Sequence, residues 1–302
     1  MKTLTRFHNN ILRGILKLSR TSPLPPLYFL LGELPIEAVL HMDLLTLFWN
    51  IWANTNTKAH EIVKYLLMMS NSNSLTWAAH VRLIFQLYQL PDPLLLLNSQ
   101  LWPKNKWKLH TKTVISAHHE SVWRSKAAVN SKLSYLNTQA AGLSGRMHPL
   151  LTGILTTQDV IFSRIHIKMV SGDYNCYYYL DRDRGIGAYC RLCSALTPEL
   201  KPPDETMVHL LTRCRSTVDT RTRILPDLLN TVSQDLPDND LLSHHNHDNL
   251  TQFILDPTSL NLPLNIRVSP DHPALVRVLQ VCRRLCYSLH KDRTRKLKQL
   301  GI

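Results

Sequence analysis

Four residues in one short stretch constrain this chain more than any other feature: Cys190, Cys193, His209 and Cys214. Their spacing is Cys-x2-Cys, fifteen residues, then His-x4-Cys. Two cysteines three apart in a tight turn can aim both thiolates at one point, and a His and Cys from a following helix can complete a tetrahedron. Three thiolates and an imidazole form a soft donor set that suits zinc better than magnesium or calcium. Four protein ligands leave no open position, so the expected Zn2+ is structural rather than hydrolytic. Thr206 is placed to cap the helix that carries His209. The polar, turn-prone residues from Ser194 to Glu205 suit a metal loop, which needs no core of its own. The competing reading is a chance pairing, because only one of the two ligand pairs is tightly spaced. Cys176 reads as a strand residue rather than a fifth ligand. Cys282 and Cys286, one helical turn apart beside an apolar stripe, read as core thiols. Six cysteines in 302 residues are too few for a disulfide scaffold.

Around this stretch the composition favours helices. Glycine occurs only 9 times, which argues against phosphate-binding Gly-rich loops and against a turn-dense all-β chain. The hydrophobic fraction of 44% is enough for a buried core. Lys and Arg total 35 against 22 Asp and Glu, a formal charge of +13 that points to a polyanionic partner. No apolar run approaches the roughly 20 residues of a membrane span. The N-terminal segment MKTLTRFHNN lacks the apolar stretch of a secretory signal. The expected location is therefore intracellular, nuclear or cytoplasmic, with no membrane partner.

The periodicity predicts a mostly α fold: a helical array over 1–142, then a second region over 146–302 holding a small zinc-binding β-hairpin/helix element at about 174–218 and further helices. Proline-punctuated amphipathic helices are expected at 7–18, from Ile36 to Ile51, at 59–69, and after Ser74 as N-cap. A long helix is expected from Pro103 to residue 140, with Val114, Val122, Val129, Leu133 and Leu136 as its apolar stripe and Lys104, Lys106, Lys108 and Lys112 among its solvated residues. Thr156 or Thr157 should cap a helix whose inner face is Val160, Ile161, Ile165 and Met169. Tyr174 to Leu180 reads as extended, leading through a turn to the first cysteines. The last helix should start near Pro273.

Arginines and tyrosines are interleaved around the cysteines. Arg182, Arg184, Arg191, Arg213 and Arg215 can grip phosphates, and Tyr177 and Tyr179 can stack on unpaired bases, as single-strand binding requires. The same residues could equally be solvated arginines and half-buried strand tyrosines. His118 and His119, and the tract His244, His245 and His247, read as surface histidines. Pro226 and Asp227 read as a helix start. No Walker, Gly-x-Ser-x-Gly or His-Glu-x-x-His motif is present. There is also no Asp-Asp dipeptide of the kind that holds two catalytic metal ions. The chain is not expected to be an enzyme.

The segments RIHIKMVSGDY, CRLC and ETMVHLLTRCRSTVDTRTRILPDLL resemble the C-terminal tails of non-long-terminal-repeat (LINE-type) retrotransposon reverse transcriptases. Those tails carry a Cys-Cys-His-Cys zinc knuckle. LPPLYFLLGELPIEAVLHMDLLTLFWNI and SLTWAAHVRLIFQLYQLPDPLLLL are similar to the helical, thumb-like or connector region that follows the polymerase palm. FILDPTSLNLP and VCRRLCYSLHKDRTRKLKQLG also resemble the tail. The resemblance implies zinc ligands at Cys190, Cys193, His209 and Cys214. It further implies a non-catalytic segment that binds RNA or single-stranded DNA. The alternative function is a zinc-stabilised helical scaffold for protein interaction.

Overall fold

The computed structural model describes residues 2–69, 76–143, 145–177, 187–197, 201–235, 246–259 and 271–302. It is mostly α, as expected, with no β-strand among the described residues. The chain divides into two compact units. The first comprises Met1–His8 and Leu34–Ser125, and the second comprises Asn9–Glu33 and Lys126–Ile302. The expected boundary at residue 142 therefore does not match this division.

The first unit contains most of α3 to α7: α3 (Ile36–Ala53), α4 (Lys58–Met69), α5 (Trp77–Leu87), α6 (Pro93–Leu97) and α7 (Lys104–Ala128). Its core is aromatic. Trp107 meets Phe48, Trp52, Phe85 and Trp102 with ring centroids 5.9–6.3 Å apart. Buried indoles need a partner for their N–H, and Trp107 donates to the Leu45 carbonyl at 2.9 Å. Thr76 caps α5 by accepting from the Ala79 amide, and Ser74, the expected cap, lies outside the described residues. Helix α7 ends twelve residues short of the expected 140, because the Asn130 side chain caps a separate 3-10 turn at Ser131–Leu133. Its buried stripe is Trp107, Thr111, Ile115, His119, Trp123 and Ala127, while Val129 is 87% exposed. The stripe read from the valines was misplaced because an indole, a threonine and a histidine supply the inward face.

In the second unit, α1 (Lys2–Leu16, from Asn9 onward) and α2 (Pro25–Leu31) join α8 (Thr157–Val170), α9 (Arg191–Leu196), α10 (Val218–Asp235), α11 (His247–Leu255) and α12 (Pro273–Gln299). Residues 9–33 belong here because their backbone bonds run here. Gly145 donates to Gly32 O at 2.9 Å and His148 to Leu30 O at 3.0 Å. Gly32 has φ +66, and a Cβ there would lie 2.5 Å from the Arg146 backbone. Thr156 caps α8 in a reciprocal box with Asp159. The inner face of α8 is Ser163, His166, Ile167, Met169 and Val170, whereas Val160 and Ile161 are exposed. Helix α12 lies at the centre, packed mainly against α8 and α10. Pro226 sits inside α10 rather than at a helix start. Helix α12 is where the metal-ligand element is seated.

Candidate metal centre

Three local structures aim the four ligand side chains at one point. Cys190 is the N-cap residue of α9, and Cys193 lies one turn on, so the two thiols share a side. An isolated antiparallel bridge pairs Tyr189 with Asp204, and its flanking bonds are Cys190 N–H to Pro203 O and Glu205 N–H to Ala188 O, both 2.8 Å. Among the described residues, this two-residue pairing is the β structure that leads into the cysteines. The described part of the expected extended segment, Tyr174–Tyr177, forms no strand, and 178–186 lies outside the described residues. Thr206 caps the next turn as expected, its hydroxyl accepting from His209 N–H at 3.1 Å.

His209–Arg213 is a π turn, closed by Cys214 N–H donating to His209 O at 2.7 Å. On an ordinary α-helix, positions five apart face directions about 140° apart. The wider i→i+5 ring brings them closer in azimuth, and Cys214 then leaves the helix with extended backbone. That is how a His-x4-Cys spacing becomes a usable pair.

The resulting cluster is compact and buried. All four ligand atoms lie within 4.8 Å of one another. Cys193 Sγ is 3.5 Å from His209 Nε2 and 3.7 Å from Cys214 Sγ, and Cys190 Sγ is 4.0 Å from Cys214 Sγ. The Cys190, Cys193, His209 and Cys214 side chains can therefore hold a metal ion. Among the described residues, no other group of three or more His, Cys, Asp or Glu side chains converges this closely. Cys176 is not part of it: its thiol donates to the Glu205 carbonyl. Cys282 and Cys286 are buried on α12, as expected of core thiols.

Three thiolates this close repel one another. The hydrogen bond from the Cys190 thiol, with His209 also contributing, holds the Cys214 pKa below its usual value against the effect of burial. Cys190 is pushed up by its bond to Cys214 and by burial, and Cys193 by burial and by Cys214. A divalent cation would have to displace the protons of Cys190 and Cys193, so its binding should release protons.

Buried charges surround the cluster, and Arg221 is one of the run of arginines that flank the cysteines in the sequence. Arg221, seven residues after Cys214, is buried and donates to Cys214 O at 3.0 Å. Burial lowers its pKa, while Cys214 and Cys193 oppose the fall. A divalent ion with three thiolates carries a net charge of −1, which a buried guanidinium on this side offsets. Glu205 and Arg293 form a buried ion pair at 2.5 Å, and Tyr177 N–H donates to the same Glu205 oxygen at 3.2 Å. Leu297 packs against the cysteines, and Lys296 donates to Ser216 O. The basic end of α12 thus turns Arg293 and Lys296 inward. No local pattern marks Glu205 and Arg293 as partners, because 88 residues separate them.

The candidate nucleic-acid contacts divide. Arg213 and Arg215 are exposed on either side of Cys214. Arg191 is half-buried, 4.2 Å from the Tyr189 ring centroid and 5.5 Å from that of Tyr177, and it donates to the Tyr189 hydroxyl. Tyr177 packs against the cysteine cluster. These two residues are engaged in holding the metal loop. Arg182, Arg184 and Tyr179 lie outside the described residues. Beside His209 is a shallow cavity of about 470 Å³ whose lining includes Tyr135, Asp204, Met207, Arg213 and Asp248. Among the described residues, no helix is long and apolar enough to cross a membrane. Comparison of the chain with known protein families, with curated proteins and with solved structures finds no match.

Proposed function

We propose that the chain is a non-catalytic nucleic-acid-binding segment, related to the tails of LINE-type reverse transcriptases, in which zinc on Cys190, Cys193, His209 and Cys214 is structural. The observation that carries this reading is the buried Cys3His cluster with Arg213 and Arg215 exposed beside its last ligand. The donor set favours zinc over harder cations. Four protein ligands leave no open coordination position, which suits a staple for a short loop better than a hydrolytic centre. The +13 formal charge supports RNA or single-stranded DNA as the partner. The cavity next to His209 offers Tyr135 for stacking and Arg213 for a phosphate.

The test is filter binding to single-stranded and structured RNA across a salt series. Phosphate contacts make log affinity fall linearly with log salt. Arg213→Ala with Arg215→Ala should weaken binding and flatten that slope by about 2. Absence of binding at low salt would end the claim. A second reading, a zinc-stabilised protein-interaction scaffold, draws support from α4, where Ile62, Tyr65, Met68 and Met69 are exposed. It expects a protein partner whose binding survives the arginine substitutions.

A further inference from the structure

The histidine pair His118–His119, expected at the surface, contributes instead to a buried polar bridge in the first unit. His119 is buried on α7. The Tyr88 hydroxyl, just after α5, lies 3.0 Å from His119 Nε2 and 2.7 Å from Nδ1 of His41 on α3. One phenol therefore joins three elements through two imidazoles. His118 packs edge-on against Tyr88 with centroids 5.2 Å apart, and His80 of α5 stands 6.1 Å from His41. Glu37, one turn before His41, is the carboxylate whose charge reaches both His41 and Tyr88.

A hydroxyl has one proton to give, and an imidazole nitrogen accepts only when it carries no proton. With both rings neutral, Tyr88 donates to one ring and accepts from the other. Protonating the accepting ring leaves the hydroxyl between two donors, with its own proton unpartnered. Protonating the other ring buries a cation beside the His80 and His118 rings. Either event costs the bridge free energy that the unfolded chain does not lose.

We propose that the His41–Tyr88–His119 bridge is an acid-sensitive latch, which ties α3, the end of α5 and α7 together at neutral pH and releases them as the pH falls through the histidine range. Burial, with His80 and His118 adding to it, holds the His41 pKa below its usual value against the pull of Glu37. For a histidine depressed in the fold, its contribution to stability is complete above the free value of about 6.5 and is lost as the pH falls below it.

All 6 tryptophans fall between Trp49 and Trp123, within the first unit, so indole emission of the full chain reports on this unit alone. The emission should red-shift cooperatively as the pH is lowered below about 6.5. His41→Asn with His119→Gln keeps a polar atom near each bonded nitrogen without a titrating ring. It should move the transition down by about one pH unit or more, while Tyr88→Phe should move it up. An emission that stays constant through this range, or a folded double variant with the wild-type transition, would overturn the latch. Should the double variant not fold, NMR titration of the imidazole signals in the wild-type chain decides. The His41 signals should titrate below the free value and together with the emission change. Independent titration near that value with constant emission would overturn the proposal.

Discussion

The two units keep their interiors by different means. In the first, the buried side chains are aromatic and aliphatic, with only neutral-type polar groups and histidines among them. Every buried Asp, Glu or Arg among the described residues lies in the second: Glu205, Arg221, Asp256, Arg283, Asp292 and Arg293. All 6 tryptophans lie in the first. A core of apolar area tolerates local change gradually, because transfer free energy scales with area. A core holding charges fails abruptly when one partner is removed, because the other charge is left buried and uncompensated. The candidate metal ligands sit in the second kind of interior, where Arg221, Arg293 and Glu205 form their surroundings.

The largest separation between the units should come from chelation. Structural zinc in small elements contributes about 10–16 kcal/mol of apparent binding free energy. Removing the metal should unfold the segment from Ala188 to Thr217, read by loss of amide protection there, while tryptophan emission from the first unit stays unchanged. Equal loss in both units would erase the proposed contrast. Zinc affinity should also rise with pH, since Cys190 and Cys193 are held as thiols and must lose protons on binding.

Next in size is the ion pair beneath the metal loop. Glu205→Gln leaves Arg293 buried without its counter-charge and should cost about 3–5 kcal/mol in the second unit. Urea denaturation followed by a second-unit probe would measure it. Trp107→Ala is the counterpart in the first unit. It should cost about 3–5 kcal/mol by cavity formation and leave the metal content unaltered.

What the chain alone disclosed follows the same divide. The position of α3 was legible because apolar residues from Ile36 to Ile51 repeat at helical spacing and prolines mark the breaks. Its buried face, however, is Ala38, His41, Leu45, Phe48 and Trp52, and Leu47 of that apolar series is exposed. The α7 stripe was misread because polar and aromatic residues at fourfold spacing look unlike a leucine face. In the second unit the four candidate ligands were legible because the sequence carries the spacing that chelation would require. The π turn was not, since Leu210 to Arg213 read equally well as ordinary helix. The pairing of Arg293 with Glu205 was not legible either, because 88 residues separate them. The grouping of residues 9–33 with the second unit rests on backbone bonds to Gly145 and His148, which leave no compositional trace.

Acid should weaken the second unit more gradually than it releases the latch of the first. His166 is buried with Nε2 3.0 Å from Ile254 O, and burial, aided by Arg283, pushes its pKa down to about 3. Its contribution is complete above the free value and is lost as the pH falls from about 6.5 toward 3, at about 1.4 kcal/mol per pH unit. His166→Gln should flatten the pH dependence of second-unit stability between those limits. The smallest effect expected is at a cap: Thr156→Ala should cost about 1 kcal/mol, seen as a small shift in the second-unit urea midpoint.

The central claim is that Cys190, Cys193, His209 and Cys214 form one metal centre, and elemental analysis of the purified full chain tests it most directly. The wild-type chain and Cys286→Ser should each carry about one zinc per chain, and Cys193→Ser should carry close to none. Zinc near zero in the wild type, or full zinc retained in Cys193→Ser, would contradict it.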